Sequence, residues 1–362
     1  MAINLLEFFK PAEIAANWTE VYSNSIPYLG AGLFTASKKA GLDLAWIKGA
    51  KGLPISLMPS TFDAQATFRD RIGVSKIETE MPFFREGYKL KEKDRQDLLR
   101  VSESTDPYAT AIIANVYDDV NDLIQAANVV AERERMQLLF PIGGEMGISI
   151  KANGVDYTYD YDPNGTWKSG NYFATTGTTT TVSNWSDTAH SDPLNDIKKA
   201  KDAVRAATGS ELAVAIMNSA TFNLMMQSAS IKDRFMTTTG RAFSYLTEGE
   251  VKAVVFDTVG VQIAVYDKMY KDENKTAQRF VPDGYVSLVP AGTVGKTWYG
   301  TTPEEADLRG GLNADVAIVN TGVAISRIVE PHPVCINTIA SVIVLPSFER
   351  MDEVAVLNVN PQ

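Results

Sequence analysis

The sequence predicts an α+β protein in which a long extended excursion hangs from compact parts. Three observations carry this. An apolar stripe at helical spacing runs through residues 106–140, a helix, strand, helix, strand, strand order fills residues 192–266, and strand-like runs crowd the last fifty residues.

Residues 2–9 and 12–22 read as short amphipathic pieces separated by Pro11, which removes a helix donor, so the start of the chain is expected to be an extended arm with helical turns. This start has neither a basic n-region nor an apolar h-region, so it does not read as a signal peptide. The next seventy residues or so, 29–100, are basic and studded with aromatic residues. Gly41, Gly49, Gly52, Gly73, Pro54, Pro59 and Pro82 preclude a long helix there, while residues 55–57, 66–68 and 75–77 read as short extended pieces. The expected form is a long two-stranded excursion. An isolated ribbon of that kind is marginal in water and presents unpaired edges, so it calls for a neighbouring chain. Trp46, Phe62, Phe68, Phe83 and Phe84 are the side chains expected at that contact, the other reading being a private minicore.

Asp106 and Pro107 form a helix start, with a capping carboxylate followed by proline at the first helical position. Ile113, Val116, Val120, Leu123, Ala127 and Val130 then recur at spacings of three and four, which places them on one face of a helix predicted over 106–140. At ~1.5 Å rise per residue this is a strut on the order of 50 Å. Asp118, Asp119 and Asp122 read as its solvated face, and residues 132–135 close it with mixed charge.

Residues 147–151 and 155–161 alternate around Asn153-Gly154 and predict a hairpin. The tract TTGTTTTVSNWSDT reads as a surface loop or strand edge. Asp192-Pro193 repeats the helix-start signal, the stripe that follows ends at Gly209, and residues 211–217 read as a buried strand. Ser219 is expected to cap the next helix, and residues 252–256 and 261–266 read as a strand pair turning at Val259-Gly260. Strands are further predicted after Tyr285 and over 315–319, 323–328, 339–345 and 354–359.

Charge and composition narrow the function. The formal net charge is −10, yet residues 30–100 hold thirteen Lys and Arg against nine Asp and Glu. This asymmetry fits either a basic stretch of one copy meeting the acidic body of another or plain solubilisation. A pI near 4.9 argues against nucleic-acid recognition as the main task, because such binding rests on Lys and Arg neutralising phosphates. The lone Cys335 allows no intrachain disulfide, and with only two histidines a thiolate zinc site is not expected; Cys335 reads as a small buried apolar residue. No run approaches the ~18 apolar residues of a membrane span. Neither His190 nor His332 lies beside a recognisable nucleophile, Gly30-Ala31-Gly32 lacks the third glycine of a dinucleotide fingerprint, and no phosphate-binding glycine-rich motif occurs. No catalytic, cofactor or metal residue is therefore assigned. The pairing of a basic excursion with a long strut points to an assembly subunit.

Taken in order, the arm, excursion, long helix, polar β insertion, compact domain and closing strands resemble the major capsid proteins of tailed bacteriophages, specifically the lambda-like major capsid protein E family. The segment KKAGLDLAWIKGAKGLPISLMPSTFDAQATFRDRIGVSKIETEMPFFRE resembles the family's E-loop, and FVPDGYVSLVP with TPEEADL supports the same likeness. The resemblance implies an HK97-like phage capsid fold with an N-arm over 1–32 and an E-loop over 33–90. A peripheral domain over 91–191 would contain the spine helix, an axial domain would span 192–310, and residues 311–362 would complete the peripheral domain.

The resemblance also implies E-loop contacts between subunits through Trp46, Lys48, Lys51, Phe62, Phe68, Arg69, Arg71, Phe83, Phe84 and Arg85, and spine-helix packing through Ile113, Val116, Val120, Leu123 and Val130. It implies hexamers and pentamers closing into an icosahedral shell around double-stranded DNA held without sequence-specific binding. A separate scaffold protein, a portal and a decoration protein are the expected partners, with assembly in the bacterial host cytoplasm and residence in the virion. A Lys–Asn crosslink from Lys48, Lys51 or Lys76 finds no assignable partner beyond Asn337. The rival readings are an encapsulin-type nanocompartment shell, a soluble enzyme, and a tail-tube or decoration protein.

Overall fold

A computed structural model describes residues 27–48, 75–92, 107–152, 154–178, 180–239, 246–307, 314–332 and 334–360. In chain order the first elements are α1 (Leu29–Leu33), β1 (Phe34–Lys38), β2 (Asp43–Lys48), β3 (Ser75–Glu80), β4 (Phe83–Leu90) and α2 (Pro107–Leu139). There follow β5 (Gly147–Ala152), β6 (Val155–Asp160), α3 (Thr166–Asn171), β7 (Tyr172–Ala174), α4 (Pro193–Thr208), β8 (Leu212–Met217), α5 (Ser219–Gln227), α6 (Ala229–Thr239) and α7 (Glu248–Val259). The remainder comprises β9 (Gln262–Val265), β10 (Met269–Lys271), β11 (Ala277–Arg279), β12 (Tyr285–Pro290), β13 (Gly295–Tyr299), α8 (Pro303–Asp307), β14 (Ala314–Val319), β15 (Val323–Pro331), β16 (Val334–Ser347) and β17 (Ala355–Asn358).

The chain divides into two compact units. The first comprises Met1–Leu44, Glu78–Arg133 and Lys296–Ser347, and the second Ala45–Ile77, Glu134–Gly295 and Phe348–Gln362. These bounds differ from the expected ones at 192, 310 and 311. The reason is sheet pairing: β17 runs antiparallel to β12 and parallel to β7, which draws the end of the chain and residues 172–174 into the second unit.

The first unit is built on β16. Its residues 334–342 pair antiparallel with β15, residues 336–343 with β4 and residues 344–347 with β13, while β14 pairs with β15 and β1 with β13. Ala127 and Ala131 of α2 pack on this sheet against Tyr299, Val323, Val342 and Val344, with Val130 and Phe84 at the margin. Two alanines one turn apart let the helix backbone approach the sheet closely.

The second unit holds a mixed sheet in the order β7-β17-β12-β8-β9. Since β8 and β9 are parallel, they need a crossover and not a tight turn, and α5, α6 and α7 supply it. This corrects the expectation that residues 252–256 form a strand. They lie in α7, whose start carries a reciprocal capping box between Thr247 and Glu250 and whose end is closed by Gly260 in the left-handed region at φ 72°. The N-cap before α5 is Asn218, whose side chain accepts from the Thr221 amide, and not Ser219. The Asp192 cap holds as expected, its side chain accepting from the Asn195 amide.

The polar tract after β7 is also more than a surface loop. It carries Val182 and Trp185 into the core of the second unit beside Ile197, Val286 and Leu357. Trp185 Nε1, Ser183 N and Ser183 Oγ all donate to Oδ2 of the buried Asp196, which fastens the tract to α4. Residues 132–135 likewise depart from expectation: Glu132, Glu134 and Arg135 are buried, and Glu132 Oε1 accepts from the Gly30 amide at 2.8 Å.

Candidate assembly surface

The excursion leaves the first unit through two stems. Phe34, Leu44 and Met81 are buried where it departs, the Met81 amide donates to the Leu42 carbonyl at 2.9 Å, and the Lys39 amide donates to the Tyr299 carbonyl at 2.8 Å. Beyond that closure β2 and β3 pair, among the described residues, only with each other, as a two-stranded sheet. β1 and β4 fall within the expected E-loop bounds and pair with the body sheet, β1 with β13 and β4 with β16 over eight residues from Ile336↔Leu90 to Ile343↔Phe83.

This pairing gives several expected contact residues work inside their own chain. Phe84 lies opposite Val342 and packs at the edge of the α2–sheet core, and Arg85 lies opposite Ser341. The Arg85 guanidinium stacks on Phe83 at 4.6 Å and pairs with Glu304. Phe83, Phe84 and Arg85 thus make contacts within their own chain. Trp46 and Lys48 lie on β2, whereas Lys51, Phe62, Phe68, Arg69 and Arg71 lie outside the described residues. Ile113, Val116 and Val120 are on α2; further along the same helix Leu123 is buried and Val130 packs on the sheet.

Carboxylates hold both stems. Glu305 Oε1 accepts from Lys38 Nζ of β1 at 2.5 Å, and Glu304, 4% exposed, pairs with Arg85 of β4 and accepts from Ser341 Oγ at 3.0 Å. Near the far end of β4, Glu330 accepts from Cys335 Sγ at 2.9 Å, Lys89 Nζ at 3.0 Å and Asn337 Nδ2 at 2.6 Å. Those bonds, Cys335's first, pull the Glu330 carboxyl down to about 2. The Glu330 carboxylate in turn raises the Cys335 thiol, and burial adds to the effect. Cys335 is thus buried as expected but acts as a hydrogen-bond donor and not as an inert apolar residue. Nothing in the sequence around TPEEADL marked Glu304 and Glu305 as partners of the stems, since the pairs span 219 and 267 positions.

The second unit has a polar groove of about 530 Å³, lined by Gly143, Lys168, Tyr172, residues 174–178 and Asn358. Asn358 Nδ2 donates to the Tyr172 and Tyr285 hydroxyls at 3.2 and 3.3 Å, and burial pushes the Tyr172 phenol up to about 12. Lys168 is engaged by Glu145 at 2.5 Å. His190 lies on an exposed turn 2.9 Å from the Asp187 carboxylate, and His332 is exposed in the turn between β15 and β16. Among the described residues no three His, Cys, Asp or Glu side chains are grouped to hold a metal ion, and no helix is long and apolar enough to cross a membrane.

Solved structures of similar fold place this architecture among phage capsid subunits. The prophage capsid protein of Escherichia coli CFT073 matches at TM-score 0.57 and 14% identity over 97% of this chain and 99% of its own. A phage-related protein of Bordetella bronchiseptica RB50 matches at 0.55 and 13% over 97% of each chain, and the cyanophage A-1(L) capsid at 0.52 and 12% over 94% and 95%. No curated protein matches the chain. The fold is the HK97-like fold of phage shells. The model of phage major capsid protein E matches residues 11–359, and the chain belongs to that family.

Proposed function

We propose that this protein builds the icosahedral head of a tailed double-stranded DNA phage, its copies forming hexamers and pentamers. The observation that carries the reading is the β2–β3 ribbon, two strands wide and rooted in a sheet, within a chain of the capsid protein family. A ribbon of two strands gains little stability alone, and a neighbouring copy supplies the missing partners. Trp46, Lys48, Lys51, Phe62, Phe68, Arg69, Arg71, Phe83, Phe84 and Arg85 are the residues assigned to that contact. Residues 91–191 and 311–362 then serve as the peripheral domain and residues 192–310 as the axial domain. Obligate interfaces of this kind commonly exceed ~2,000 Å².

The role is structural and without catalysis. A separate scaffold protein guides closure, a portal occupies one vertex and a decoration protein reinforces the finished shell. The acidic body encloses DNA without reading its sequence, and assembly takes place in the host cytoplasm before the subunit resides in the virion. Electron microscopy of the purified chain, alone and with the scaffold, tests this: closed shells of one size support it, and a dispersed monomer under both conditions refutes it. Packaged DNA in particles from infected cells separates a phage head from an enzyme-filled nanocompartment.

A further inference from the structure

We propose that α8 is a clasp whose two consecutive carboxylates, Glu304 and Glu305, set the direction in which the excursion leaves the body; the inference rests on the shell-subunit reading above. The excursion has two roots. Lys38 ends the strand that leads into it, and Arg85 sits in the third position of the strand that receives it. α8 holds both at once, Lys38 by Glu305 and Arg85 by Glu304.

The chemistry of the pairs suits a positioning task. Glu304 is 4% exposed and Ser341 Oγ donates to the same oxygen that meets Arg85, while Arg85 Nε reaches Ser341 Oγ at 3.4 Å. This closes a three-membered network onto β16, directly across from β4. The guanidinium is further held over the Phe83 ring, so its plane is fixed from two sides. A second oxygen on each carboxylate, Glu304 Oε2 and Glu305 Oε2, is buried without a hydrogen-bond partner among the described residues. Buried carboxylates only partly satisfied are a costly way to hold a helix, and glutamine or an apolar residue would serve plain packing better. What the charges add is a fixed bearing for two cations on separate strands.

The helix itself is too short to persist by its own hydrogen bonds. It spans five residues and is started by Thr302, whose hydroxyl accepts from the Glu305 amide and whose carbonyl accepts from the Ala306 amide. Its place therefore depends on the stems as much as theirs depends on it. Removing the carboxylates leaves both roots paired to the sheet by backbone bonds but without a common anchor, and the ribbon beyond them is free to swing.

The test uses the full chain with Glu304→Gln and Glu305→Gln together, and a charge exchange of Lys38→Glu with Glu305→Lys. Amide exchange over residues 43–48 and 75–80 is read in dissociated subunits, with residues 285–290 as a control for folding, and particle shape is read by electron microscopy. The clasp predicts that the double variant exchanges about tenfold or more faster over the ribbon, with the control strand unchanged, and closes into particles of mixed size. The charge exchange should restore the wild-type rate of ribbon exchange and uniform particles relative to Lys38→Glu alone. Unchanged ribbon exchange, or uniform particles despite a loosened ribbon, overturns the proposal. If the control strand also loosens in the double variant, the charge exchange decides: recovery supports the clasp and failure to recover rejects it. Wild-type chain that makes no particles either alone or with the scaffold defeats the shell reading, while the exchange measurements still judge the clasp.

Discussion

Single side chains decide how firmly the strands are stapled together. Glu330 gathers three donors from β4 and β16, and its carboxyl falls from an ordinary 4.5 to about 2. A depressed folded value means the stabilisation is present above the unfolded pKa and is lost as pH falls through the folded one. Amide exchange of residues 336–343 should therefore quicken between about pH 4.5 and 2 in the wild type, and Glu330→Gln should remove that step. Lys89, raised by the same contact, supports the staple below its ordinary value of 10.5 and releases it as pH climbs past its folded value.

Asp196 is a second such point. It is 1% exposed and holds Ser183 and Trp185, so Asp196→Ala strands three donors and should cost about 3 kcal/mol in denaturant unfolding. Trp185→Phe keeps most of the apolar surface but leaves the carboxylate short of one donor, and its cost should be about half as large. The pair was not legible in the sequence. Trp185 stands in a run of Thr, Ser and Asn with no periodicity, and only the fold shows that the run turns inward.

Elements with strong local signals read well. The α2 stripe predicted 106–140 against Pro107–Leu139, and the hairpin around Gly154 and the Asp192 cap appear where turn and cap chemistry place them. Local chemistry failed where apolar runs were ambiguous. Residues 252–256 are β-branched and aromatic enough for a strand, but the Thr247–Glu250 box starts a helix and the parallel β8–β9 pairing demands one. Thr247→Ala should cost about 1 kcal/mol, measured by chemical denaturation of the second unit's transition. The pairing of β4 has no local signal for a different reason: its partner β16 lies some 250 positions away, and register over such a distance leaves no trace in a window of ten residues.

That register has a steric signature. A Cβ on Gly87 would stand 2.8 Å from the Thr338 carbonyl and 3.0 Å from Ile339 Cγ1. Since one contact is backbone, the β4–β16 ladder itself must yield. Gly87→Ala should destabilise the first unit by about 1–3 kcal/mol, and a second substitution, Ile339→Val, should not restore it, because the carbonyl contact remains.

At the scale of the molecule, chemistry is spent on holding an extended ribbon at a set place on a sheet. The basic excursion and the acidic remainder, with a formal charge of −10 overall, give copies a reason to attract one another through opposite surfaces. Assembly should accordingly slow as salt rises from low to physiological ionic strength, measured by light scattering. On the proposed reading the ribbon's contact is made between copies, so the residues of a neighbour that receive it are not written in one chain's sequence. The central claim is that the β2–β3 ribbon becomes stable only beside another copy. Amide exchange over residues 43–48 and 75–80, compared between dissociated subunits and closed shells, tests it most directly: the account predicts much faster exchange in the former than in the latter, and equally slow exchange in both would contradict it.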